Sequence, residues 1–182
     1  VDKLRDTTQS HDRCSVVEVM GRGAGYIALN AGIACGATYV ITSEIPYDLD
    51  KVAKKMLESR KTGKQHFIIV VSEGVGHSDE IASKQTLKSR SGKNYYSLKL
   101  QDKTGIEART TILGHVQRGG APTVRDRVVA SQMAYYAVEL LSQGIGNRVV
   151  GMQNSKIVDF DIQEALSMKK PFEEELYHIA GE

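Results

Sequence analysis

The stretch SVVEVMGRGAG, residues 15–25, contains the features that decide the fold. It begins with a nearly continuous apolar, mostly β-branched run, which is typical of a strand buried on both faces. The glycines that follow allow a tight turn, and a helix-forming segment continues to about Cys35. A strand, a glycine turn and a helix in this order predict one unit of an α/β fold.

The rest of the chain repeats this alternation of strands and helices. Strands are predicted at residues 38–42, 66–71, 109–113 and 149–151, and helices at 50–61 and from Thr123 to Gly144. The helix at 50–61 has Val52, Ala53, Met56 and Leu57 on one face, and Thr123 with Asp126 resembles a capping box. Residues 84–104 are polar and are expected to form a surface loop or flexible insertion. We therefore expect a doubly wound, mostly parallel, Rossmann-like α/β sheet.

The composition is that of an ordinary globular protein. Hydrophobic residues make up 41% and charged residues 25% of 182 residues, and the net charge is +2. This balance argues against a nucleic-acid or membrane partner, and the longest apolar runs are too short for a membrane span. Two cysteines make neither a disulfide framework nor a metal cluster, so no metal site and a cytoplasmic location are expected. The chain starts at Val1 without a Met, which indicates a fragment.

The turn Met20-Gly21-Arg22 is the first candidate binding element. Glycines let the backbone approach a ligand, the next helix offers N–H groups, and Arg22 adds a positive charge, so an anion site is favoured. Two other interpretations stay open. The glycines could serve only a tight turn, or they could belong to a dinucleotide fingerprint with Glu44 about twenty residues on, although Tyr26 occupies the third glycine position.

Other candidate side chains lie next to the predicted strands. Glu73 follows a strand and could accept hydrogen bonds from sugar hydroxyls, bind a metal, or act as a base; it could equally be a solvated charge. His115 and Arg118 are three residues apart, beside two glycines, and could converge on one phosphate. Arg13 and Arg109 could each be an ordinary surface charge, and the pattern alone favours that interpretation. The residues by themselves therefore indicate an α/β unit that binds phosphate or a sugar phosphate.

Four strings in chain order resemble the second half of the 6-phosphofructokinase family. They are SHDRCSVVEVMGRGAG, IIVVSEGVG, EARTTILGHVQRGGAPTVRDR and VVGMQNSKIVD, and the likeness extends from residues 4–7 to about Pro171. The resemblance implies phosphoryl transfer to fructose 6-phosphate, giving fructose 1,6-bisphosphate in glycolysis. It also implies an ATP donor with Mg2+, mostly bound outside this chain.

The resemblance implies a role for each candidate residue. Arg22 would stabilise the transferred phosphoryl group in the transition state. Glu73 would hold sugar hydroxyls, and Arg13 and Arg109 would reach the 6-phosphate from a neighbouring subunit of a homo-oligomer, usually a tetramer. The substrate-binding residues implied in full are Arg13, Met20, Gly21, Arg22, Glu73, Arg109, His115, Val116, Gln117 and Arg118.

The resemblance also implies a domain arrangement. Residues 1–116 would form a sugar-phosphate domain with an atypical loop at 84–104, 117–168 would belong to the nucleotide-binding domain, and 169–182 would return to the first. The glycine-rich nucleotide loops and the catalytic-base aspartate would lie in an amino-terminal half, a partner that this chain lacks. The chain alone is therefore expected to be inactive.

An allosteric effector site is implied only in part. Its positions are Arg5, Gly36, Ala37, Thr38, Lys64, Gln65 and His66. Thr38 stands where a glutamate is usual and Thr62 where a basic residue is usual, and both changes would weaken the site. Two alternatives to the ATP-dependent enzyme remain: a pyrophosphate-dependent phosphofructokinase, and a non-catalytic sugar-phosphate-binding module.

Overall fold

A computed structural model describes residues 1–77 and 95–181, and the chain divides into two compact units. The first comprises residues 1–118 and the carboxyl-terminal residues from 172; the second comprises 119–171. The assignment of either unit to a particular domain of a whole enzyme stays a prediction.

The first unit contains a sheet of four parallel strands, β1 (Cys14–Val19), β2 (Tyr39–Ile41), β3 (Phe67–Ser72) and β4 (Ala108–Ile112). Their order is β2-β3-β1-β4, so β1 pairs with both β3 and β4. The helices are α1 (Asp2–Gln9), α2 (Tyr26–Ala34), α3 (Leu49–Lys61) and α4 (Tyr95–Thr104). Strand β3 is buried along its whole length, as its continuous apolar run predicts.

Two hydrophobic clusters cover the opposite faces of this sheet. Val16 and Ile69 pack in one cluster with Met56 of α3 and Leu100 of α4. The neighbouring positions point the other way, as alternation along a strand requires, and form a cluster that includes Val17, Val70, Ala28 and Cys35. Helices therefore flank both faces, and the predicted doubly wound, mostly parallel α/β fold is confirmed.

The second unit contains α5 (Val124–Ser142), β5 (Arg148–Gln153), β6 (Lys156–Asp161) and α6 (Ile162–Ser167). The predicted capping box at Thr123 and Asp126 is present, and α5 ends before Gly144, whose φ is 77°. Strands β5 and β6 pair antiparallel, a hairpin that the sequence patterns did not reveal. After this unit, helix α7 (Glu174–Gly181) belongs to the first unit again.

Two expectations from the sequence were wrong. Residues 95–104, expected to be loop, form α4, because Tyr96 and Leu100 are buried against the sheet and α3. Residues 84–94 of the expected loop lie outside the described residues. Leu57, assigned to the buried face of α3, is 37% exposed, whereas Val52 and Met56 are fully buried. Within the described ranges, no helix is long and apolar enough to cross a membrane.

Candidate functional site

Three turns meet at the carboxyl edge of the four-stranded sheet because β1, β3 and β4 are parallel neighbours. Met20–Arg22 follows β1, Glu73 follows β3, and a short 3-10 turn, Gly114–Arg118, follows β4. We call these residues the carboxyl-edge cluster. Ligands of open α/β sheets bind at this edge, so the fold brings together the candidates that the sequence left scattered.

Glu73 fixes the backbone of the Arg22 turn. Its Oε1 accepts hydrogen bonds from the backbone N–H of Gly21 at 3.1 Å and of Arg22 at 2.5 Å. Arg22 has φ of 56°, a left-handed conformation that a residue with a side chain rarely adopts. The two hydrogen bonds offset this strain and fix the backbone from which the Arg22 side chain extends. Arg22 is exposed, and its guanidinium has no ion-pair partner in the described part of the chain.

Gln117 ties the turn after β4 to the turn after β1. Its Oε1 accepts a hydrogen bond from the backbone N–H of Met20 at 2.8 Å. The Oε1 of Gln117 therefore binds protein backbone, and a part of Gln117 in substrate binding stays a prediction. Val116, next to it, is 81% exposed.

His115 and Arg118 lie at the two ends of one 3-10 repeat. Side chains three residues apart are eclipsed in a 3-10 helix, so these two project on the same side of the turn. Both residues are exposed. An imidazole N–H and a guanidinium fork on one face form a pair of donors suited to a phosphate group.

Gly74 allows the Glu73 turn and the Arg22 turn to touch. A Cβ added at Gly74 would collide with the carbonyl oxygen of Arg22 and would lie 3.2 Å from Cα of Gly23. The contact is between two backbones, so no flexible side chain can yield. The glycine is therefore required for the packing of the cluster.

Glu44, the acidic residue of the dinucleotide alternative, contacts the backbone just before α2. Its carboxylate accepts the N–H of Gly25 at 2.7 Å and the Ser43 hydroxyl at 3.2 Å, so it caps the first turn of α2. A negative charge there also complements the helix dipole. Glu44 thus stabilises the glycine turn through its hydrogen bond with Gly25, which is a different role from binding a ribose.

Arg13 and Arg109 lie at the opposite, amino edge of the sheet. Strand β1 has six residues, which at about 3.3 Å per residue separates the two edges by about 20 Å. Glu107 joins both arginines: its Oε2 lies 2.9 Å from Nε of Arg13, and its Oε1 lies 2.9 Å from Nε of Arg109. These contacts, the hydrogen bond from Arg109 above all, hold the pKa of Glu107 below its usual value.

Most of the expected effector residues also lie before strands at the amino edge. A cavity of about 250 Å3 is lined by Gly36, Ala37, Thr38, Lys55 and Lys64, with Ile179 and Ala180 of α7. Burial, with the charges of Lys55 and Arg5, lowers the pKa of Lys64. Nη2 of Arg5 is buried and makes no hydrogen bond within the described residues. Gln65 lines a different cavity, and His66 lines neither of these two.

The sequence matches the family model of phosphofructokinase over residues 1–141. The chain belongs to the phosphofructokinase family. It is 49% identical over 180 residues to an ATP-dependent 6-phosphofructokinase of Clostridium botulinum, and 48% identical to one of Clostridium tetani. Each alignment covers 99% of this chain and 52% of the relative, so the chain spans about half the length of the curated relatives it matches.

Solved phosphofructokinases share the fold. The enzyme of Saccharomyces cerevisiae superposes with a TM-score of 0.75 at 30% identity, over 91% of this chain and 22% of the yeast chain. A pyrophosphate-dependent phosphofructokinase of Nitrosospira multiformis superposes with a TM-score of 0.66 at 21% identity, over 90% of this chain and 42% of its own. At that identity the second match shows the fold alone.

Proposed function

We propose that this chain is the carboxyl-terminal half of an ATP-dependent 6-phosphofructokinase and that its carboxyl-edge cluster binds fructose 6-phosphate. The observation that carries the proposal is the convergence of Arg22, Glu73 and the His115–Arg118 turn at one edge of the sheet. The likeness to ATP-dependent enzymes supports both the substrate and the donor. With this activity the enzyme would act in glycolysis, in the cytoplasm.

Each member of the cluster has a chemical task in this proposal. His115 and Arg118 donate hydrogen bonds to substrate oxygens, and Arg22 neutralises charge on the transferred phosphoryl oxygens. Oε1 of Glu73 already accepts two backbone N–H groups, so Oε2 is the oxygen that would accept a sugar hydroxyl. The carboxylate of Glu73 would therefore bind the sugar and fix the position of the Arg22 backbone at the same time.

The amino-edge arginines support a shared site. Arg13 lies about 20 Å from the carboxyl-edge cluster along β1, and Arg109, which pairs with Ser15, lies about 16 Å from it, too far to touch a sugar phosphate bound there. They would bind the 6-phosphate of a substrate in a neighbouring protomer, which requires a homo-oligomer. The resemblance to the phosphofructokinase family favours a tetramer. Size measurement by light scattering checks this part of the proposal.

Mg2+ does not fit the described part of this site. The cluster presents cationic and N–H donors, which suit phosphate oxygens, and its one carboxylate already holds backbone N–H groups at Oε1. Among residues 1–77 and 95–181, no three His, Cys, Asp or Glu side chains gather into a metal site. ATP, Mg2+ and the catalytic base would therefore be held mainly by the amino-terminal half, the partner proposed here.

Exposed apolar residues on α5 support the existence of that partner. Val124 is 79%, Tyr135 68%, Val138 64% and Leu141 66% exposed. With Val128, which is 50% exposed, five large apolar side chains are exposed on one 19-residue helix, and this is typical of a surface that another segment covers. The amino-terminal half is the segment that a phosphofructokinase would supply.

The proposal includes an effector site at the amino edge of the sheet. Arg5, Lys64 and the backbone from Gly36 line or approach a cavity large enough for a phosphate, which favours an anionic effector. Thr38 supplies a hydroxyl that already accepts the N–H of Ile68 at 3.4 Å, in place of a carboxylate. We expect any effector to bind without a metal bridge at this position.

The proposed activity is tested by assaying phosphoryl transfer from different donors to fructose 6-phosphate. The complete protein that carries this sequence should phosphorylate fructose 6-phosphate with ATP, and Arg22→Ala should lower kcat on the order of 100-fold by removing transition-state charge stabilisation. The isolated 182-residue chain should show no turnover. Turnover with pyrophosphate and none with ATP would refute the donor assignment; no turnover with either donor would refute the function.

A further inference from the structure

The amino-edge arginines, Arg13 and Arg109, are linked by the carboxylate of Glu107, which has no role in the substrate binding proposed above. Glu107 contacts Arg13 through Oε2 at 2.9 Å and contacts Nε and Nη2 of Arg109 through Oε1 at 2.9 and 2.8 Å. Each carboxylate oxygen thus serves a different guanidinium, and the two arginines are held on either side of one side chain.

The backbone keeps this arrangement in register. Cys14 pairs with Ala108 across the parallel ladder, and the N–H of Cys14 donates to the carbonyl of Glu107 at 2.9 Å. Arg13 and Glu107 are therefore neighbours on adjacent strands. Glu107 and Arg109 are two residues apart in an extended segment, so their side chains leave the same face.

The triad is too exposed to serve chiefly as a stabilising ion pair. The side chains of Arg13, Glu107 and Arg109 are 30%, 39% and 47% exposed. Ion pairs of this exposure contribute little to the free energy of unfolding. What the carboxylate does accomplish is to hold two like-charged, flexible side chains close together, where they would otherwise repel each other and sample other rotamers.

We propose that Glu107 is a positioning residue that presents Arg13 and Arg109 as one preformed site for the phosphate monoester of the sugar. The inference rests on the proposed function and extends it to a residue outside the binding set. Arg13 alone carries five N–H donors and gives only Nε to Glu107, so donors of Arg13 remain for a phosphate. The net charge of the triad is positive, which favours a dianionic ligand.

Glu107 could also weaken the binding of the substrate phosphate, which is the opposite of the positioning effect. A carboxylate also neutralises one positive charge and competes with phosphate for the same donors. If competition outweighed positioning, removing the charge would tighten substrate binding. The direction of the change in KM therefore decides between the two roles.

The test is steady-state kinetics of Glu107→Gln in the complete protein that carries this sequence. We expect the KM for fructose 6-phosphate to rise on the order of tenfold, kcat to stay within about twofold, and the KM for ATP to stay unchanged. Glu107→Asp keeps the charge on a shorter side chain and should give an intermediate KM. Glu58→Gln, an exposed glutamate paired with Lys54 at 3.8 Å, is the matched control and should match wild type.

A double-mutant comparison shows whether Glu107 acts through the arginines. In a variant that carries Arg13→Ala and Arg109→Ala, adding Glu107→Gln should change KM less than twofold. An unchanged or lower KM in Glu107→Gln alone would overturn the proposal, as would a full tenfold loss without the arginines. Wild-type turnover on fructose 6-phosphate is measured separately, so failure of the function and failure of the positioning role give different results.

Discussion

Gly74→Ala offers a direct test of how the carboxyl-edge cluster is packed. The added methyl carbon would collide with the backbone carbonyl of Arg22, and ordinary contact distances require the turns to separate by about 1 Å. Overpacking of this kind costs about 1–3 kcal/mol. At about 2–4 °C per kcal/mol for a protein of this size, Tm should fall by roughly 2–12 °C.

The same displacement acts on Arg22, whose charge must meet the reacting phosphoryl group. Misplacement of a catalytic group by about 1 Å reduces a rate by up to about 100-fold, so kcat/KM should fall by roughly 10- to 100-fold. Thermal unfolding measures the first effect, and a coupled assay for fructose 1,6-bisphosphate in the complete protein that carries this sequence measures the second. Gly146→Ala is the control, because an added Cβ there meets no atom within 4 Å. If Gly74→Ala behaved like Gly146→Ala in both assays, the reasoning about this contact would be refuted.

Three further predictions concern stability and reactivity. Because hydrogen bonds from Thr123 lower the pKa of Asp126 below its usual value, this carboxylate stabilises the fold above about pH 5 and stops doing so as the pH falls through its folded-state pKa; Asp126→Asn should therefore lower Tm at pH 7, and the difference from wild type should shrink as the pH is lowered. Burial raises the pKa of Cys14 to about 12, so a thiol reagent at pH 8 should leave Cys14 unlabelled until the protein is denatured, as mass spectrometry of its peptide would show. Leu100→Ala should lower the free energy of unfolding by about 2–5 kcal/mol, against less than about 1 kcal/mol for Leu98→Ala, whose side chain is 40% exposed; equal losses in urea titrations would contradict the core assignment.

The sequence predicted the strands of the parallel sheet well because a strand buried on both faces has a nearly continuous apolar run. The stretch at 66–71 is the clearest case, since all of β3 is buried. Helix α4 was missed because the packing of Tyr96 and Leu100 depends on a partner helix that local polarity does not reveal. The β5–β6 hairpin was missed because its turn uses Asn154-Ser155 in left-handed conformations, where glycine is the usual signal.

The candidate site was predictable as a set of residues, but not as a set of contacts. Parallel strands bring Arg22, Glu73 and Arg118 to one edge, and the pattern already implied that. The hydrogen bonds of Glu73 and Glu44 to backbone N–H groups depend on turn geometry, which residue type alone leaves undetermined. The contact between Glu107 and Arg13 could not be predicted from residue type, because it depends on the register between β1 and β4.

The measurement that tests the central claim most directly is calorimetric titration of fructose 6-phosphate into the complete protein and its variants. Arg118→Ala and His115→Ala each remove a donor to phosphate, which costs about 1.5–3 kcal/mol, or roughly 10- to 100-fold in Kd. Lys54→Ala, on the exposed surface of α3, is the control and should bind as wild type. Both site variants should bind fructose 6-phosphate with a 10- to 100-fold weaker Kd; affinity equal to that of Lys54→Ala in both would contradict the assignment of the carboxyl-edge cluster as the substrate site.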